Sequence, residues 1–249
     1  MSNSNTGSYR QSHTGAGKGA AYDRNFDHRY RAYLWDRERE ALGAILTRYF
    51  PDGGFRHLDF ACGTGRILGF VAPASEASTG VDVSDAMMSE AESKAPDARL
   101  VRADVTQEQP FGDERFDLIT AFRFFPNAED QLRVDVAAAL SRLGSEGGLL
   151  VFNNHKNAHS FVGRAMRFWC WIRGRHFRTM DRADIDALTA RTGWEIVEVV
   201  PTGIFPGYEW LMFLPSSWYA VIDRGLARLP GAAGWALNQI VVCRKSSNG

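Results

Sequence analysis

The chain has 249 residues, 45% of them hydrophobic, which is enough apolar material for one sizeable core, with no compositional break to mark off a second. Lys plus Arg number 29 and Asp plus Glu 29, so no global field draws in nucleic acid, and any charged partner has to be met by a local patch. Cys62, Cys170 and Cys243 have neither zinc-ligand nor disulfide spacing, no stretch approaches transmembrane length and the N-terminus is polar, so a cytoplasmic setting is expected.

Residues 1–21 are mostly Ser, Asn, Gly and Thr and are expected to be a disordered tail, followed by a single domain over 22–249. Leu34, Trp35, Leu42, Ile45, Leu46 and Tyr49 recur at helical spacing, which predicts a helix over 31–50, stopped by Pro51 and Gly53-Gly54. Strand and helix then alternate: strand 56–61, helix 66–71, strand 78–83, helix 85–94 with Ser84 as N-cap, and a short strand 100–103. A fourth strand over 116–122 leads to a helix over 128–140, for which Asn127 is the expected N-cap. The fifth strand, 149–153, precedes a helix over 161–173 with an apolar stripe of Phe161, Ala165, Phe168, Trp169 and Ile172 beside Arg164, Arg167 and Trp171. Asp181 and Asp184 form a capping-box pair ahead of the next helix, and strands 194–200 and 237–244 complete the pattern. The fold class is α/β, a mainly parallel sheet with helices on both faces. Segments 156–180 and 201–236 are insertions expected to cap it, the first without an acidic residue from Lys156 through Arg178, the second rich in aromatics and proline.

The most informative stretch is Leu58-Asp59-Phe60-Ala61-Cys62-Gly63-Thr64-Gly65-Arg66, a buried strand end, a glycine turn and a helix start. Its glycines let backbone N–H groups approach a ligand, and the neighbouring Gly80-Val81-Asp82-Val83 ends a second strand on a carboxylate suited to a ribose diol. A dinucleotide fingerprint places its third glycine where Leu68 stands, and Asp59 would repel a pyrophosphate but suit an ammonium group. A nicotinamide-dependent oxidoreductase is therefore disfavoured.

Together with Met87-Met88, Ala103-Asp104 and Phe116-Asp117-Leu118-Ile119-Thr120-Ala121-Phe122, these motifs resemble, in order and spacing, those of a class I S-adenosylmethionine-dependent methyltransferase of the small-molecule type. The resemblance implies a Rossmann-like seven-stranded sheet whose final strand is antiparallel, and an N-terminal helix over the cofactor crevice. It implies S-adenosylmethionine as cofactor and S-adenosylhomocysteine as product. The cofactor would be contacted by Asp59, Ala61, Gly63, Gly65 and Arg66 at the first strand end and by Asp82, Val83 and Met87 at the second. Asp104 would accept from the adenine amine beside Val105, with Phe122 and either Tyr22 or Tyr30 completing the enclosure.

Methyl transfer from an activated donor mainly requires that water be excluded and the acceptor aligned. For a hydroxyl acceptor a base helps, and His155, at the C-terminal edge of strand five, is the expected one, with His159 and Arg123 as further catalytic candidates. Arg123, Asn154, Arg164, Arg167, Tyr208 and Trp210 are the expected acceptor contacts, favouring a sugar or another polar metabolite. No carboxylate pair beside a histidine suggests a metal, and no nucleic-acid partner is expected. The alternative reading is a non-catalytic cofactor-binding or peripheral membrane protein, with weak contact to a membrane surface; a monomer or homodimer fits either.

Overall fold

The computed structural model describes residues 28–175, 177–205 and 212–246. Helix α1 (Arg29–Tyr49) buries Tyr33, Leu42, Ile45 and Leu46 and is followed by β1 (Arg56–Phe60). Then come α2 (Arg66–Val71), β2 (Ala77–Asp82), α3 (Asp85–Lys94), β3 (Arg99–Arg102), β4 (Phe116–Ala121), α4 (Asp130–Leu143) and β5 (Gly144–Asn154). The remainder is α5 (Phe161–Ile172), α6 (Arg182–Arg191), β6 (Trp194–Thr202), α7 (Ser216–Ala227), α8 (Ala232–Trp235) and β7 (Asn238–Lys245).

Seven strands form one sheet in the order β3-β2-β1-β4-β5-β7-β6. Pairing is parallel from β3 to β5, and β7 inserts antiparallel between β5 and β6. The order reverses between β1 and β4, where an open α/β sheet leaves a crevice at its carboxyl ends. Leu58, Val81, Ile119, Leu150 and Val241 bury one face of the sheet, and Leu118, Val151 and Val242 pack the other against α1 and α2. This is the Rossmann-like sheet that the motifs imply.

Several local expectations change. Asn127 does not cap α4: Glu129 holds the N-cap position, and the Asn127 amide donates to Arg123 O at 2.6 Å, closing the loop after β4 instead. Ser84 is at the N-cap of α3 but makes no side-chain cap bond; its N–H goes to Asp82 Oδ1 at 2.9 Å. Strand β5 starts at Gly144, five residues before the predicted strand, because residues 145–148 are absorbed as an irregularity in its pairing with β4. The capping box at Asp181 and Asp184 forms with both reciprocal bonds.

The largest difference lies in α5. Its buried positions are Gly163 and Cys170, seven residues apart on one side, and a Cβ at Gly163 would meet Asn157 O at 2.1 Å, so the helix can sit this close only with glycine there. The predicted apolar stripe is on the opposite side, in solvent: Phe161 is 87% exposed and Ile172 63%. Hydrophobic periodicity identified the helix but not which side packs.

Candidate active site

A cavity of about 630 Å3 opens at the carboxyl ends of β1, β2, β4 and β5 and falls in the usual small-molecule range of about 300–1,000 Å3. Asp59, Gly63, Asp82 and Asp104 line it on one side, Arg123, His155 and Lys156 on the other, and Tyr30, Arg31 and Leu34 of α1 overhang it. The strand ends after β1 and β4 each carry a non-glycine residue in the left-handed region, Ala61 (φ 53°) and Arg123 (φ 61°). Such backbone strain gathers where side chains are aimed at ligands.

Asp59 is 2% exposed, and its oxygens accept from Thr120 Oγ1 at 2.7 Å and Leu68 N at 3.1 Å. Behind it, His57 Nε2 lies 2.8 Å from Thr120 Oγ1 and Nδ1 lies 3.0 Å from Ser78 Oγ. Because Thr120 donates its one proton to Asp59, His57 must donate to it from Nε2 and accept from Ser78 at Nδ1. Burial pushes His57 down to about 3, so the ring is neutral and the chain of bonds keeps one direction. Burial also pushes the Asp59 carboxyl up to about 7, while Thr120, Leu68 and Arg66 pull it down and Asp82 adds to the rise. A cation in the cavity would recover much of that cost.

Asp82 ties two loops together, accepting from Gly63 N and Ser84 N at 2.9 Å each. Each carboxylate oxygen has two lone pairs, so these bonds leave acceptor capacity for a diol. Asp104 caps its own turn through Thr106 N at 3.0 Å and Thr106 Oγ1 at 2.6 Å while also lining the cavity, so capping and cavity lining coexist there. Ala61, Arg66, Val83, Met87 and Phe122 line the cavity as well.

Other predicted contacts are elsewhere. Gly65 starts α2 at φ 75°, with Ala91 Cβ 2.7 Å from where its own Cβ would be; it lets α2 and α3 touch and does not line the cavity. Val105 is buried in the main core. Asn154 Nδ2 donates to Met180 O and Gln239 Oε1, both at 3.0 Å, its Oδ1 is buried without a partner among the described residues, and it does not line the cavity. His159 is exposed, 3.6 Å from Asp181, and outside the cavity lining. Arg164 and Arg167 line a separate open groove with Phe168 and Trp171. Tyr22, Tyr208 and Trp210 are outside the described residues. The described part of 201–236 does not line the cavity: Tyr219 packs on Tyr33 of α1, and Trp218 is 62% exposed.

Glu38, Asn153 and Lys156, which sequence reasoning passed over, matter here. Glu38, 1% exposed, accepts from Arg123 Nη2 at 3.0 Å, Asn153 Nδ2 at 2.8 Å and Asn238 Nδ2 at 2.9 Å. Arg123 is thereby held by α1, and Asn153 Oδ1 accepts from its strained backbone N–H at 2.6 Å. The sequence signal was present: Glu38 falls between Leu34 and Leu42, four residues from each, inside the apolar stripe of α1. Lys156 is the third. Its Nζ donates to Asn127 Oδ1 at 2.6 Å and lies 5.5 Å from the Phe177 ring centroid. Burial first, then Arg123, Arg178 and Arg133, push it down to about 8. His155 Nδ1 is buried without a hydrogen-bond partner, and burial with Arg123 and Lys156 holds its ring well below the usual histidine range. The ring of His155 is therefore neutral in the cavity wall. Among the described residues no His, Cys, Asp and Glu cluster could hold a metal ion.

Residues 58–148 match a family model described as a methyltransferase domain. No curated protein matches the chain. Among solved structures it is similar to magnesium protoporphyrin IX methyltransferase from Synechocystis PCC 6803 with bound S-adenosylhomocysteine, at 14% identity and a TM-score of 0.64 over 91% of this chain and 94% of that one. It is also similar to a Thermotoga maritima S-adenosylmethionine-dependent methyltransferase, described as a possible histamine N-methyltransferase, at 19% identity and a TM-score of 0.62 over 91% and 96%. A third is a S-adenosylmethionine-dependent methyltransferase from Clostridium acetobutylicum, at 16% identity and a TM-score of 0.60 over 92% and 99%. At such identities the structures speak for the fold, and the family model speaks for the segment that carries the glycine turn and both crevice carboxylates. Together they show a methyltransferase-domain signature over residues 58–148, set in a chain with the Rossmann-like fold of those structures.

Proposed function

We propose that the protein methylates an ionisable oxygen, such as a phenolic or enolic hydroxyl, on a small acceptor with an apolar body, and that Lys156 takes the acceptor's proton. The observation that carries this reading is the change of character across one cavity: carboxylates at the ends of β1 and β2, and a lysine poised at about 8 beyond β5. When bound, S-adenosylmethionine supplies a methyl group already activated on a sulfonium. Asp82 would hold the ribose diol, Asp59 the ammonium and Asp104 the adenine amine, while Tyr30 and Leu34 of α1 exclude water.

The acceptor end is walled by Leu132, Val136, Val162, Met166 and Phe177, which favours an apolar ring over a sugar. Asn127 keeps Lys156 Nζ oriented, and burial with the neighbouring arginines keeps a fraction of it neutral near pH 7, as a general base requires. The same positive charges favour the acceptor as an oxyanion over the acceptor as a neutral hydroxyl. The test is a methylation screen with labelled cofactor across phenols, enols, sugars, carboxylates and amines. Phenolic or enolic acceptors are expected to react best, and a folded, cofactor-binding protein that methylates only sugars or amines would overturn the acceptor assignment.

A further inference from the structure

The outer side of α5 is built for a partner that the methyl-transfer reading does not use. Phe161, Phe168 and Ile172 recur along one exposed stripe, with Trp171 75% exposed beside it and its ring stacked on Phe168 at 6.1 Å. Arg164 and Arg167 flank the stripe, and Arg175 follows the helix; none of the three makes an ion pair or side-chain hydrogen bond among the described residues. The two acids in the same groove are already engaged, Glu129 with Arg178 at 3.3 Å and Asp130 with Arg133 at 3.0 Å. A helix with aromatic residues on its outer face and uncompensated arginines beside them is the pattern of an element lying in the plane of a bilayer interface.

We propose that α5 docks this protein on an anionic lipid surface. The alternative occupant, a second copy, is disfavoured by charge: a two-fold contact would set Arg164, Arg167 and Arg175 near their own mates, and the segment from Lys156 through Arg178 has no acid to pair with them. Anionic headgroups supply the missing charge, and the stripe supplies the apolar area that enters the acyl boundary. Among the described residues no helix is long and apolar enough to cross a membrane, so this contact lies along the surface. The opposite flank of the same helix contributes Val162 and Met166 to the cavity wall, so docking would bring the acceptor end of the cavity alongside the lipid.

The experiment is co-sedimentation of the full chain with phosphatidylcholine vesicles and with phosphatidylcholine–phosphatidylglycerol vesicles, at low and high salt. The protein should sediment with the anionic vesicles only. Arg164→Ala with Arg167→Ala should weaken that binding about thirtyfold at low salt and much less at high salt, where the charge is screened. Phe168→Ser with Trp171→Ser should weaken it about thirtyfold or more at either salt. Both variants alter exposed side chains, and cooperative thermal melting verifies folding independently of any methyl transfer. Failure of the folded wild type to bind anionic vesicles would overturn the proposal, as would an aromatic variant that binds like wild type. A wild-type dimer that the aromatic variant converts to a monomer would assign the face to self-association and equally overturn it.

Discussion

Replacing Lys156 with Met is expected to lower kcat by about two to four orders of magnitude while leaving S-adenosylhomocysteine affinity within about twofold. Met keeps an unbranched chain of similar length, while the amine is lost together with its bond to Asn127 and its contact with the Phe177 ring. The pH profile supplies the sign. A lysine held near 8 is mostly protonated at pH 7 and must be neutral to take a proton, so wild-type kcat should rise with pH and level off above about 8. Lys156→Arg should not recover activity, because a guanidinium stays protonated throughout that range. His155→Gln should cost far less than Lys156→Met, since the histidine is a neutral wall residue that resists protonation. A flat profile between pH 6 and 9, or near-normal turnover in Lys156→Met, would remove the lysine from proton transfer.

The second large effect concerns stability. Glu38→Ala should cost about 3 kcal/mol and lower Tm by roughly 10 °C, read by calorimetry or thermal melting. It removes one buried carboxylate on which the Arg123 guanidinium and the Asn153 and Asn238 amides all converge. Arg123 is 23% exposed at its side chain, so water takes over part of its solvation, whereas the two asparagines are buried and lose an acceptor outright. Glu38→Gln keeps a carbonyl acceptor and should lose about half as much. Because Arg123 has its backbone in the left-handed region, losing its anchor should also loosen the loop that carries Asn127 and hence Lys156. A destabilisation below about 0.5 kcal/mol would mean that the cluster is solvated in the folded protein.

What was legible in the sequence was whatever backbone geometry demands. The glycine turn after β1, the carboxylate at the end of β2 and the alternation of strand and helix pointed to a mainly parallel sheet and its crevice, while the seven strands and the antiparallel last one were what the family resemblance implied. Features that depend on which side of an element is packed were not legible. The stripe of α5 has the same period whether it meets a core or a lipid surface, and only the glycine contact at Asn157 decides which side is inside. Lys156 looked like one more basic residue in a basic segment, because its shifted proton affinity comes from burial and then from Arg123, Arg178 and Arg133, neighbours set by the fold. Glu38 was legible in principle, as a charge on the buried stripe of a helix, and its partners Asn153 and Asn238 come from strands far along the chain.

The central claim is that the crevice at the ends of β1 and β2 binds S-adenosylmethionine through Asp59 and Asp82. It is tested most directly by calorimetric titration of wild type and Asp82→Ala with S-adenosylhomocysteine at pH 6 and pH 8, with NADH as control. Asp59 stands near 7 in the free protein and a bound ammonium favours its ionised form, so wild-type affinity should be about tenfold tighter at pH 8 than at pH 6. Asp82→Ala should lose about 1 to 3 kcal/mol of binding, because the diol loses a charged acceptor and Gly63 and Ser84 lose the carboxylate that joins their loops. One-to-one binding of S-adenosylhomocysteine with those two dependences, and none of NADH, is the result predicted. Equal affinity in Asp82→Ala and wild type, or a folded wild type that binds NADH and not S-adenosylhomocysteine, would contradict it.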